Sequence, residues 1–209
     1  MRRHVMRSVI VLLAVAPLWA LGSAPTIAQA PAGGGQARGG GRGSATAPLV
    51  MTSTAWEDGG VIPDKYTQAA GPTSPSPELK WSQVPAGTQT FVLLLHDPEP
   101  VLNKGSKMDI THWLIWNIPG TSTGLAQAVA QGELPDGSRQ VSLRSNAYMG
   151  PGAPAGPFHH YTFELYALDS KLDVAQGTPQ QAAETRTAVI NAMDGHVLGK
   201  AVLVARFHR

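Results

Sequence analysis

No cysteine occurs among the 209 residues, which excludes disulfide staples, thiol nucleophiles, cysteine zinc sites and iron–sulfur clusters. Charged residues are sparse at 14% and aromatics at 6%, so the chain is neither a polyelectrolyte nor an aromatic-rich nucleic-acid platform. The apolar run VIVLLAVAPLWAL (9–21) falls short of the ~20 residues a spanning helix needs. P-loop and dinucleotide fingerprints are absent, removing the commonest phosphate-loop enzymology. What is plentiful is glycine, at 23, and proline, at 17. Together with 43% hydrophobic residues, they point to a loop-rich, strand-rich fold with a real core.

The positive net charge is an end effect. Five of the sixteen Lys and Arg lie in residues 1–48, which hold no acid; the other eleven face all fourteen Asp and Glu, a formal net of −3. That balance gives no electrostatic case for nucleic acid. Residues 1–30 have the order of a signal peptide: basic Met1–Arg7, an apolar stretch broken by Pro17, then the small-residue segment SAPTIAQA. Cleavage after Ala28 or Ala30 fits, giving a periplasmic or secreted protein without stable membrane insertion. Residues 31–48, with seven glycines and no large apolar side chain, read as a flexible linker. The folded domain is expected over 49–209, a comfortable single-domain size.

Four segments read as strands: Phe91–Asp97, Ile110–Ile118, His159–Leu168 and Lys200–Phe207. Each is rich in branched and aromatic residues and bounded by Pro, Gly or Asp. Phe91–Leu95 is apolar at every position, as in a central strand covered on both faces. Weaker strands are expected at Val50–Trp56, Glu78–Trp81 and Gln140–Leu143. A helix is expected between Thr178 and Gly195, with Thr178 as N-cap, Pro179 at N1, Gln181 completing a capping box and Gly195 as the stop.

Alternation places functional groups at strand ends. Asp97 ends the set Phe91, Leu93, Leu95. His112 leads a set read as His112, Leu114, Trp116, Ile118. His159 and Tyr161 open a third with Phe163 and Leu165. Antiparallel pairing of the first two strands puts Asp97 and His112 at one margin, where His159 and Tyr161 can join them. His96 and His160 should point to the opposite face, and His196 and His208 show no partners. The stiff turn Asp97-Pro98-Glu99-Pro100 holds Glu99 near Asp97. Glycines in Tyr148–Phe158 (YMGPGAPAGPF) permit close backbone approach and offer N–H groups to an anion.

At this point the chain resembles a family. The stretches WEDGGVIPDKYT (56–67), SPELKWSQVPAG (76–87), HDPEP (96–100), HWLIWNIPG (112–120), YMGPGAPAGPFHHYTFELYALD (148–169) and GHVLGKAVLVARF (195–207) look like the phosphatidylethanolamine-binding protein family, most of all its bacterial Raf-kinase-inhibitor-like branch. The resemblance implies a mainly β fold of two packed antiparallel sheets with a few peripheral helices, one near the C-terminus. It implies an anion pocket of Asp97, Glu99, His112, Gly152, Pro154, His159 and Tyr161, with no cofactor and no catalysis. Two departures stand out. The family's usual Asp-Pro-Asp-x-Pro is here Asp-Pro-Glu-Pro-Val, so Glu99 reaches further, and Ala153 stands where a proline is common.

The expected chemistry is recognition of phosphate, phosphoethanolamine or a similar small anion, with His112 or His159, Tyr161 and backbone amides donating hydrogen bonds. Two other readings remain. A metal-dependent hydrolase could use His112, His159, Asp97 and Glu99. An interaction protein, such as a protease inhibitor, could carry a vestigial pocket.

Overall fold

Strand β4 (Thr90–Asp97) is the centre of the molecule. The computed structural model describes residues 47–100 and 109–209; the expected export signal and nearly all of the expected linker lie outside these. β4 pairs antiparallel with β5 (Ile110–Pro119) on one side and β8 (His159–Leu168) on the other. Outward from these lie β7 (Arg139–Val141), β9 (Val197–Phe207) and the short β2 (Gly60–Val61), in the order β2-β9-β8-β4-β5-β7. All pairings in this six-stranded sheet are antiparallel except β2 with β9. A second sheet joins β1 (Val50–Thr52), β3 (Leu79–Ser82) and β6 (Gly124–Leu125).

The unbroken apolar run of β4 has a cause on each side. Phe91, Leu93 and Leu95 face the second sheet, where Met51, Leu79 and Trp81 close the main core. Val92 and Leu94 face the other way, under helix α1 (Ala182–Ala192), with Leu114, Trp116, Val189 and Met193. Each such buried side chain contributes roughly 1.5–3 kcal/mol. The helix begins as expected: Thr178 and Gln181 form a capping box ahead of a short 3₁₀ turn, Pro179–Gln181. Ala182, Val189 and Met193 are buried, while Ile190 is exposed. Gly195 follows with φ +78°, the left-handed geometry that glycine adopts freely. Among the described residues no helix is long and apolar enough to cross a membrane.

The expected face of β5 needs correction. Two register shifts interrupt its pairing with β4, between Phe91 and Val92 and between Leu95 and His96. Asn117 and His112 are the extra residues at these bulges, and each bulge reverses the alternation. Leu114 and Trp116 therefore pack under α1, while His112 and Ile118 sit on the inner side with Trp113 and Ile115. At the upper bulge Asn117 has φ +60° and is buried. Its amide donates to the Leu172 carbonyl at 2.9 Å and accepts the Leu172 N–H at 2.8 Å.

Candidate functional site

The lower bulge determines where His112 goes. Strict alternation from Trp113 would send it outward; the extra residue returns it to the inner face. Thr111 takes the outward position and meets Arg186 of α1, and Ile110 turns inward opposite Asp97. Asp97 ends β4 and His159 starts β8, so three strand ends share one rim. The cavity between them holds about 180 Å³, the space of about six waters. Asp97, His112, Gly152, Pro154, His159 and Tyr161 all line it.

Asp97 is only 2% exposed. Its Oδ2 meets His159 Nδ1 at 2.9 Å and its Oδ1 accepts the Glu99 N–H at 3.1 Å. Burial raises the Asp97 pKa above the ordinary value, against the pull of His159. His112 is 3% exposed. Its Nδ1 lies 2.9 Å from the Met149 carbonyl, and burial lowers its pKa to about 4 although nearby carbonyls favour the charged ring. Its ring meets Tyr161 edge-on at 5.1 Å. The Tyr161 hydroxyl accepts the Gly152 and Ala153 N–H groups at 3.1 and 3.0 Å. Burial, and then the Asp97 charge, push its pKa upward, so it stays a phenol.

Three expectations change here. The Gly152 and Ala153 amides do not offer themselves to an anion, because Tyr161 takes both. Glu99 turns to the outer face: its carboxylate accepts the His160 N–H at 3.0 Å and meets His160 Nδ1 at 2.6 Å. It does not line the cavity. Burial works upward on Glu99, but the bonds from His160 and Asp97 hold it below the ordinary glutamate value. His196 and His208 do find partners, Asp169 at 2.7 Å and the Phe158 ring at 4.1 Å. His96, pointing outward as expected, meets Asp109 at 2.6 Å.

Residues that strand alternation did not reveal complete the site. Gln68 clamps the Gly/Pro loop by donating to the Gly150 carbonyl at 2.9 Å, while its Oε1 accepts from Arg144 at 3.0 Å. Arg144 brings a positive charge to the cavity wall beside Leu143 and Met149. Gly152 leaves room for this approach, since a Cβ there would crowd Gln68 Nε2 and Gln68 would have to move aside. Among the described residues, Asp97, Glu99 and His159 have ligand atoms within 4.8 Å of one another and form the group that could hold a metal ion. His112 is outside that group, and both carboxylates already engage imidazoles. Gly120-Thr121-Ser122-Thr123-Gly124 has the spacing of a hydrolase nucleophile elbow. Its Ser122 lies beyond the far end of β5 from His112, and its hydroxyl donates to the Gly124 carbonyl at 2.8 Å.

The larger open groove of about 750 Å³ lies elsewhere, between α1 and the outer face of the sheet, lined by Leu94, Tyr166 and Arg186. The small cavity is where the buried Asp97, His112 and Tyr161 converge.

Comparison with known proteins agrees with this fold. The family model described as phosphatidylethanolamine-binding protein matches residues 52–208. The UPF0098 protein of Methanothermobacter thermautotrophicus is 41% identical over 164 residues, covering 77% of this chain and 99% of the relative. The UPF0098 protein YbhB of Escherichia coli is 36% identical over 107 residues, covering 49% of this chain and 65% of the relative. Among solved structures, the homologue CT736 from Chlamydia trachomatis aligns with a TM-score of 0.62 at 28% identity, over 78% of this chain and 98% of that one. E. coli YbcL shares the fold, with a TM-score of 0.64 at 24% identity over 78% and 99%.

Proposed function

Because the chain belongs to the phosphatidylethanolamine-binding protein family, in its YbhB/YbcL-type branch, we propose that it is an exported, non-catalytic receptor for a small phosphate-bearing head group. The observation that carries this reading is the convergence of the Asp97–His159 pair, His112, Tyr161 and Arg144 on one cavity of about 180 Å³. That volume accommodates a head group and leaves no room for acyl chains. His159, held by Asp97 through Nδ1, lines the cavity, and Arg144 brings a cationic donor to the wall. The Asp97 carboxylate at the cavity wall suits the amine of a zwitterion such as phosphoethanolamine.

Binding without turnover follows from the same groups. A histidine that protonates at about 4 is a weak base near neutrality, and a phenol pushed upward is a poor nucleophile. Export rests on residues 1–30, whose basic, apolar and small-residue order is that of a cleaved signal; N-terminal sequencing of the exported protein should begin near Gln29 or Pro31.

Titration calorimetry at pH 6 tests the binding. Phosphate and O-phosphoethanolamine should release heat, ethanolamine alone should release less, and His159→Ala should weaken binding about ten- to hundredfold, as expected for one charge-assisted bond. No heat with either phosphate compound, or unchanged affinity in His159→Ala, overturns the reading.

A further inference from the structure

The pocket is short of donors, and this restricts the phosphate it can hold. Met149 contributes a carbonyl, which only accepts, so the bond from His112 Nδ1 requires a proton on Nδ1. The neutral ring then presents the lone pair of Nε2. That atom has no partner among the described residues, and the ring is otherwise buried against Tyr161. Two amides donate to the Tyr161 hydroxyl, so both are consumed, and the single O–H proton that remains lies within reach of the Asp97 carboxylate. Asp97 adds two more acceptors, already met by His159 and the Glu99 N–H.

Resting on the function proposed above, we infer that the pocket selects a phosphate monoester carrying a proton, with its P–O–H donating to His112 Nε2, over a phosphodiester or a fully ionised phosphate. A diester has no such hydrogen; one of its bare oxygens would face the imidazole lone pair. The remaining oxygens of a monoanionic ester meet the Tyr161 hydroxyl and Arg144, beside the Asp97-bound His159. Arg144 and, across the sheet, His96 disfavour a positive ring, and the Asp97 carboxylate that shares the cavity is paired with His159. Burial acts in the same direction, so the acceptor role persists down to about pH 4. His112 is thereby a specificity residue, reading whether the ligand brings a hydrogen.

The test compares O-phosphoethanolamine with glycerophosphoethanolamine, its diester counterpart, at pH 5.5, where the protein is in one state for both ligands. The monoester should bind about ten- to hundredfold more tightly, the cost of leaving a buried acceptor unmet. ³¹P NMR of the bound monoester should show its second ionisation, near 6 when free, moved upward. His112→Asn keeps a donor for the Met149 carbonyl and removes the Nε2 acceptor, so the monoester preference should fall to near unity. Imidazole ¹⁵N shifts in the wild-type protein should report the proton on Nδ1, a readout independent of the variant's folding. Equal affinity for the two esters, an unmoved ionisation, or a proton on Nε2 overturns this inference while leaving phosphate binding intact. No binding of either ester would instead overturn the proposed function.

Discussion

Acid should weaken this fold through His112 before it protonates most carboxylates. Burial holds the folded-state imidazole at about 4, against an ordinary 6.5. Below pH 6.5 the unfolded chain takes up a proton at this position that the folded chain refuses, so the unfolded state gains on the folded one. The contribution is intact above pH 6.5, declines as the pH falls, and is fully lost near pH 4. The interval corresponds to roughly 3 kcal/mol, a large part of a typical stability of about 5–15 kcal/mol. Urea denaturation followed by tryptophan fluorescence at pH 7, 6, 5 and 4.5 measures it, with His112→Asn as reference. Asn still donates to the Met149 carbonyl and loses ring packing, an offset that does not vary with pH. The wild-type stability should fall faster than that of the variant, the gap between them closing or reversing by about 2.4 kcal/mol between pH 7 and 4.5. Parallel curves would refute the buried-neutral assignment, and with it the account of how Met149 and Tyr161 hold the ring.

Asn117→Gly keeps the positive φ of the upper bulge but removes both bonds to Leu172; it should cost about 2–4 kcal/mol, and Asn117→Ala more, because alanine resists that φ. Chemical melts of the two variants would check this, and a loss below 1 kcal/mol for Asn117→Gly would count against the anchoring role. At Gly150 an added Cβ would lie 2.6 Å from the Tyr66 carbonyl oxygen and 3.0 Å from Thr67 Cα, positions fixed by backbone. Gly150→Ala should therefore displace the loop holding His112 and reduce head-group affinity at least about tenfold, and wild-type affinity by calorimetry would argue against this loop as the floor.

Simple period-two reasoning recovered much of this protein. The all-apolar Phe91–Leu95 implied a strand covered on both faces, and it lies between the second sheet and α1. Asp97 and Tyr161 follow from alternation along uninterrupted stretches of β4 and β8. His112 reached the expected rim by a different route: two bulges, invisible to alternation, moved Leu114 and Trp116 to the opposite face and turned His112 inward. Asn117 was the available clue, since asparagine tolerates the positive φ such a bulge requires. Gln68 and Arg144 lie 76 residues apart in sequence and meet through loops whose path has no periodicity to read. The Gly/Pro loop lines the cavity through Gly152, Ala153 and Pro154, but its amides go to the Tyr161 hydroxyl, which follows them by only nine and eight residues.

The bulge at His112 also explains how one strand end serves both faces of the sheet. With the extra residue in place, His96 and Thr111 point outward while Asp97, Ile110 and His112 point inward. The connection between β4 and β5 is thus tied at its two ends on opposite sides. At its start Asp97 joins His159 inside the pocket. At its close Asp109 joins His96 and Arg186 outside, and these two partners hold the Asp109 carboxyl below its ordinary range despite burial. A carboxylate gripped by a guanidinium and an imidazole is costly to detach once half-buried, so the outer tie fixes where the rim begins and ends. The ligand groups can then be few and weakly charged, because their positions are set by pairs that the ligand never touches. A lone-pair acceptor such as His112 Nε2 discriminates between esters only if the opposing donors stay in register with it, and the two ties supply that register.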